Sequence, residues 1–358
     1  MDPAALRAEF PVFEQLAYMN AGTCGPVPAA AVAAMQAVLA QAAGEGRSQA
    51  YFTAALYTRR RLRAGYAELL GAAADDVALT TSTSEGIVRV LGALDLQPGD
   101  EVLTSDEEHP GLLGPLAAAR AQRGLAVRAV PFAEIADAVR PDTKLVACSH
   151  VSWVSGRVVP DLSGVGDVPV LLDGAQGIGA VPTDVARLGC AFYAGSGQKW
   201  LCGPIGSGML WVSPQWSDRL PARGPTYLNL ADPGAGLDAV PRADAARHDA
   251  PALSPETTAA AAAALAVLGD AGGDAVHERA ATLASDLADA LAEGGREVAP
   301  RDRTTLVSWK DPDPAATRAL LAEAGVIIRD LPGTGLLRAS VGAWNDASDI
   351  ERLLSALP

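Results

Sequence analysis

The chain has 358 residues, 49% of them hydrophobic and 20% charged, which suits a soluble globular protein and is long enough for two domains. No apolar run approaches the roughly eighteen residues a membrane helix needs, and the opening "MDPAALRAEFPVF" lacks the basic start and apolar block of a secretory signal, so no membrane partner and a cytoplasmic location are expected. A formal net charge of -14 repels phosphate backbones and argues against a nucleic-acid partner. Cys24, Cys148, Cys190 and Cys202 are scattered with no CxxC pair, and the four histidines form no HExxH, so neither a disulfide framework nor a metal site is expected.

In chain order, residues 75 to 212 alternate short β-rich runs with helix-like segments. The runs are "DVALT", "DEVLTS", "AVRAVPF", "KLVACSHV", "PVLLDG" and "FYAGS", each followed by a polar or glycine-containing turn. This pattern reads as an α/β domain with a largely parallel sheet, and runs apolar throughout predict strands covered on both faces. Residues 214 to 255 are rich in Pro, Gly and Asp and forbid long regular elements. "SPETTAAAAAALAVLGDAGG" then predicts a helix with a capping serine, Pro at its first position and a glycine stop, placed as a hinge between domains. The tail, from "REVAP" onward, mixes strand-like and helical pieces, as a small α+β domain would. The large domain is expected over 15–254, and the small one over 1–14 and 255–358.

Chemistry concentrates around Lys199 in "FYAGSGQKWLCGPIGSGMLWV". Burial between strand-like runs would drive its amine toward the neutral, nucleophilic form that makes a Schiff base. Taken alone, a snorkelling surface lysine would look the same. Asp173 closes the apolar strand of "VLLDGAQGIGAV", at the sheet edge where open α/β folds bind ligands. A carboxylate there can keep a pyridine nitrogen protonated, though Asp before Gly is also a turn former. In "LTTSTSEGIVRVLGAL", Thr83 and Ser84 offer hydroxyls and free N–H groups at a helix start, which suits a phosphate or plain capping. His109, in "TSDEEHPGLLGPL", follows a strand on the same edge and could stack on a cofactor, shuttle protons or simply occupy a loop.

Together, "TSTSEG", "EEHPG", "SHVSWVSGRVVP", "LLDGAQGIGAVPTDV" and "FYAGSGQKWLCGPIGSG" resemble the ordered motifs of the class V aminotransferase family, pyridoxal 5'-phosphate enzymes of fold type I. The resemblance runs from about residue 18 to 345. It implies that Lys199 carries the Schiff base, that Asp173 pairs with the pyridine nitrogen, that Gln176 contacts the ring's phenolic oxygen and that His109 stacks on the ring. Thr83, Ser84, Ser196 and Gln198 match phosphate-holding positions, with Gln198 where many members have His. A homodimer is implied, its partner chain completing the phosphate site, but "RHDAPALSPETT" departs from the family's pattern and leaves open whether Ser254 or Thr257 takes part.

Members differ in which bond near the substrate's α or β carbon breaks. Arg338, in a motif resembling the family's "RxS", is assigned the α-carboxylate, and Arg329 a second acidic group, because a guanidinium fork matches a carboxylate. A surface salt bridge is the blander use of either. Cysteine desulfurases of the family carry a nucleophilic cysteine shortly before that last arginine, and "IIRDLPGTGLLR" has none. Trp153 in "SHVSWVSG" and the opening "YMNAGTCGPVP", which places Asn20 with the substrate, look closer to the cysteine/cystine lyases and isopenicillin N epimerases. The preferred expectation is a carbon–sulfur β-lyase on cysteine, cystine or an S-substituted cysteine. An aminotransferase or epimerase of the same family is the alternative, a desulfurase a weaker one, and a non-catalytic ligand-sensing protein the weakest.

Overall fold

The computed structural model describes residues 1–358. A short helix, α1 (Pro3–Ala8), capped by the Asp2 carboxylate, leads to strand β1 (Ala17–Tyr18) and then to helices α2 (Ala29–Gly44) and α3 (Gln49–Leu70). The apolar runs read from the sequence become β2 (Val77–Thr80), β3 (Glu101–Ser105), β4 (Ala126–Val130), β5 (Thr143–Ser149), β6 (Val170–Asp173) and β7 (Phe192–Ser196). An antiparallel β8 (Gly208–Val212) follows.

These strands form one seven-stranded sheet in the order β2-β8-β7-β6-β5-β3-β4, parallel apart from β8. All residues of β2, β3, β6, β7 and β8 are buried, as continuous apolar composition predicts for a sheet covered on both faces. Helices α4 (Thr83–Ala93) and α5 (Pro110–Arg123) pack Ile87, Val90, Leu112 and Leu116 on one face, and α3 brings Leu62, Tyr66 and Leu70 to the other. Because the parallel strands end at one edge, Ser105, Ser149, Asp173 and Ser196 come out side by side there.

Residues 214–254 contain only short 3₁₀ turns, as their breakers dictate. Helix α6 (Pro255–Ala271) starts where expected: the Ser254 hydroxyl accepts from Thr257 N at 3.0 Å and Pro255 occupies the first position. Helix α7 (Gly273–Glu293), strand β9 (Leu306–Lys310), helix α8 (Pro314–Glu323), strands β10 (Val326–Ile327), β11 (Arg329–Leu331) and β12 (Leu336–Ser340), and helix α9 (Ala347–Ala356) complete the chain. β11, β12 and β9 form an antiparallel sheet, with a separate core that includes Leu287, Trp309, Leu337 and Leu353. No single helix is long and apolar enough to cross a membrane.

The boundaries drawn at 15 and 255 do not coincide with breaks in packing. Ala17 and Tyr18 pair with Val326 and Ile327, beside the smaller sheet, and α6 lies along α2 and α3. Hydropathy cannot reveal either: a two-residue parallel pairing carries no local pattern, and an alanine-rich helix offers small side chains to any neighbour.

Candidate active site

Lys199 stands in the turn that leaves the β7 edge, three residues beyond Ser196, and Asp173 ends the neighbouring β6. Asp173 is buried, and its Oδ1 accepts from Ala175 N at 2.9 Å. As a residue Lys199 is half-buried. Burial pulls the Lys199 amine down to about 8, with Asp173 opposing this and Arg338 and Arg329 assisting. Burial in turn pushes the Asp173 carboxyl up, and the Lys199 charge pulls it back.

Helix α4 starts at Thr83 behind the cap Ser82, whose hydroxyl accepts from Glu85 N at 3.1 Å. With the cap role taken by Ser82, Thr83 is left spare: its hydroxyl is buried without a partner. Ser196 Oγ and Gln198 Oε1 are likewise buried and unpaired. Ser84, in the same first turn, is half-buried, and its Oγ and the His109 Nδ1 both lie beside Gly111. Buried polar atoms are normally satisfied, so these three orphans, at the α4 start and in the stretch from the end of β7 toward Lys199, suit a polar ligand. Ser254 and Thr257 instead bond each other at 3.0 Å on an exposed helix start.

His109 caps α5, its Nδ1 accepting from Gly111 N at 2.9 Å, and its ring meets Trp153 edge to face at 5.0 Å. Burial, with Lys199, Arg329 and Arg338 nearby, pulls its imidazole down to about 4. A ring held neutral is a poor proton carrier near pH 7, so of the uses read from the sequence, packing fits and shuttling does not.

Gln176 is oriented by Trp200, whose Nε1 donates to Oε1 at 2.9 Å, leaving Nε2 to donate to Gly22 O at 2.8 Å. Gly22 belongs to a loop, residues 20–25, that runs across the site. Asn20 bridges to Ser340, and its Oδ1 accepts from the Thr23 hydroxyl at 2.7 Å. Gly25 N donates to Gln198 O at 2.8 Å, and a Cβ there would lie 2.0 Å from Lys199 O. Only glycine permits that approach of backbone to backbone.

Arg329 and Arg338 are Cα partners across β11 and β12, so their side chains share one face of the sheet. Arg338 is 0% exposed. Its Nη1 donates to Trp153 O at 2.8 Å, while Nε and Nη2 find nothing. Ser340 Oγ, two residues on along the strand, is also unpaired. Arg329 makes a long contact to Thr23 Oγ1, 3.4 Å, and lies 5.8 Å over the Trp153 ring. No carboxylate forms a salt bridge with either arginine. Like charges directly opposite repel, and burial with Arg329 alongside pulls the Arg338 guanidinium down to about 9. An anion is what this pair lacks.

The fold thus brings Lys199, Asp173, Gln176, His109, Trp153, Arg329, Arg338 and the α4 start to one seam between the two sheets. None of these residues lines the cavity of about 510 Å³ that opens elsewhere between α3, α6 and α7. Sequence reasoning missed Gly22, Thr23 and Trp200, although "GQKWLCGP" contains the tryptophan. It also set aside Cys24, which reaches the site through loop 20–25. Burial raises its thiol, outweighing Lys199 and Arg329. Cys202 is fully buried in a left-handed turn (φ 56°), a packed residue.

The sequence profile described as aminotransferase class-V matches residues 17–353. A probable cysteine desulfurase of Pseudomonas aeruginosa is 31% identical over 99% of this chain and 97% of its own. Another, of Methanothermobacter thermautotrophicus, is 30% identical over 66% of this chain and 63% of its own, so there the match spans under two thirds of the relative. Two structures of the cystine C–S lyase C-DES superpose with TM-scores of 0.91 and 0.90 at 26% identity, covering 98% and 97% of this chain and 98% of each neighbour. In one, glycine is covalently linked to the PLP cofactor, and the other holds the reaction product cysteine persulfide.

Proposed function

The chain belongs to the class V aminotransferase family, and on that premise we propose that it is a pyridoxal phosphate-dependent carbon–sulfur β-lyase acting on cystine or another S-substituted cysteine. The observation that carries the substrate reading is the cross-strand pair of Arg329 and Arg338, two guanidinium groups with no carboxylate of their own. A dicarboxylic amino acid of cystine's length supplies one carboxylate to each.

The residues present fit the cofactor. The unpartnered Thr83, Ser196 and Gln198 atoms, with Ser84, suit its phosphate, Asp173 its pyridine nitrogen, Gln176 Nε2 its phenolic oxygen and Lys199 its aldehyde. When bound, pyridoxal 5'-phosphate supplies the electron sink that makes the substrate's Cα–H acidic.

The protein's own part is positional and acid–base. Nε and Nη2 of Arg338 grip the α-carboxylate in fork geometry, which fixes the rotation about Cα. Lys199, its amine near neutrality because burial disfavours the ammonium, accepts the Cα proton at Nζ. The neutral His109 ring and Trp153 wall the site and exclude water. The bond from Cβ to sulfur breaks and the sulfur leaves with its electron pair. In sum, cystine and water give cysteine persulfide, pyruvate and ammonia.

Two features weigh against a desulfurase. The β11–β12 hairpin has no cysteine, and Cys24, the one thiol of loop 20–25, is held protonated rather than nucleophilic. The chain is further proposed to act as a homodimer, because α3 exposes Phe52, Leu56 and Tyr57, and the turn after Lys199 exposes Ile205. The division into a large domain over 15–254 and a small one over 1–14 and 255–358 is likewise part of the proposal.

The test is to supply L-cystine to the loaded protein in deuterated water and to measure pyruvate, persulfide and deuterium at Cα of recovered substrate. Pyruvate and persulfide in equal amounts are expected. Deuterated cystine without pyruvate would identify an epimerase, and a requirement for a keto acid an aminotransferase.

A further inference from the structure

Glu107 lies in the turn between β3 and α5, two residues before His109, and is half-buried. Its Oε2 accepts from two hydroxyls of another loop, those of Ser152 and Ser155. These hydroxyls are the hubs of that loop. Ser152 Oγ accepts from Val154 N and Ser155 N at 3.1 Å each, and Ser155 Oγ accepts from Arg157 N at 3.3 Å. Trp153 stands between them.

The smaller sheet and its approach hold the same loop from the other side. Ser308 Oγ donates to Val154 O at 2.6 Å, Thr304 Oγ1 to Gly156 O at 2.7 Å, and Arg338 Nη1 to Trp153 O at 2.8 Å. The loop therefore reports on both sides of the seam at once, and Glu107 supplies its hydrogen bonds to the turn that carries His109, beside the packing of Trp153 on the His109 ring. Glu108 makes the companion tie one residue later: its carboxylate accepts from Ser105 Oγ at 2.5 Å, Ser149 Oγ at 2.6 Å and Ser149 N at 3.0 Å. Glu108 thereby joins the ends of β3 and β5, whereas Glu107 joins a turn to a loop that no strand pairing holds to it.

We propose that Glu107 is a positioning residue for substrate recognition. By gripping Ser152 and Ser155 it sets the Trp153 ring against His109 and the Trp153 carbonyl against Arg338, so that the two free guanidinium nitrogens face an incoming α-carboxylate. The idea rests on the reading of Arg338 as the carboxylate site. A single oxygen receiving two hydroxyl protons is charge-assisted and directional, and a glutamine oxygen turned the same way can receive both. Alanine receives neither.

The experiment uses the cofactor-loaded protein and the variants Glu107→Ala, Glu107→Gln, Ser155→Ala and Arg338→Met. Each is titrated with L-cystine and with L-alanine, which has the α-carboxylate but no β-sulfur to expel, and the midpoint of the cofactor's spectral change is read. Glu107→Ala, which loses both hydroxyl bonds, should raise both midpoints at least about tenfold. Glu107→Gln should stay within about twofold of the parent and Ser155→Ala should fall between. The cofactor band itself should not change in the Glu107 and Ser155 variants. If Glu107→Ala does not fold, Ser155→Ala, which loses one of the two bonds, carries the comparison. Equal midpoints in the parent, Glu107→Ala and Ser155→Ala would overturn the proposal while an effect of Arg338→Met persists. If Arg338→Met itself binds as the parent does, the underlying carboxylate reading has failed.

Discussion

Replacing Arg338 with Met should separate stability from binding. The arginine is wholly buried with one hydrogen bond, from Nη1 to Trp153 O, and two nitrogens without partners. A carboxylate taking both nitrogens gains two charge-assisted bonds of about 1.5–3 kcal/mol each, so their loss weakens binding by about 3–6 kcal/mol, or roughly a hundred- to more than ten-thousand-fold. The empty fold behaves differently. Removing a buried, unpaired charge in favour of an apolar chain is neutral or stabilising by about 1–4 kcal/mol. Against this stands the lost bond to Trp153 O, about 1 kcal/mol. Urea denaturation without amino acid should show stability unchanged or higher, while titration with L-cystine shows binding all but lost. A variant that is less stable by more than about 2 kcal/mol, or that binds within about tenfold of the parent, would refute the view of Arg338 as a guanidinium held open for a carboxylate.

The same geometry makes two further predictions. Cofactor capture by the unloaded chain should quicken as pH rises toward about 8, because the folded-state amine of Lys199 is pulled down to that value and only its neutral form condenses with an aldehyde. Stopped-flow absorbance checks this: a rate independent of pH through that region, or a visible band surviving in Lys199→Ala, would exclude Lys199 as the attachment point. Gly25→Ala should cost at least about 1–3 kcal/mol and slow cofactor capture, because its Cβ would lie 2.0 Å from Lys199 O, a backbone atom that cannot turn aside. Denaturation and capture measured on the same preparation would show whether the two losses occur together.

Much of the fold was legible in the chain itself. Six β-rich runs became six strands, of which β2, β3, β6 and β7 are buried throughout because the sheet is covered on both faces while β4, at its edge, has no buried residue, and α6 began at Ser254 because a capping hydroxyl and a proline at the first position leave little choice. Lys199 and Asp173 were identifiable because strand ends follow from strand composition. The structure alone decided which distant pieces meet. Loop 20–25 crosses the site only because β1 pairs with β10, and Arg329 faces Arg338 only because a hairpin sets their register. Glu107 reads as one more charge in a loop until the fold brings the Ser152 and Ser155 hydroxyls onto its carboxylate. Local composition determines which elements form and where they end. Which side chains are left unpaired is a property of packing, and it is those unpaired atoms that define this site.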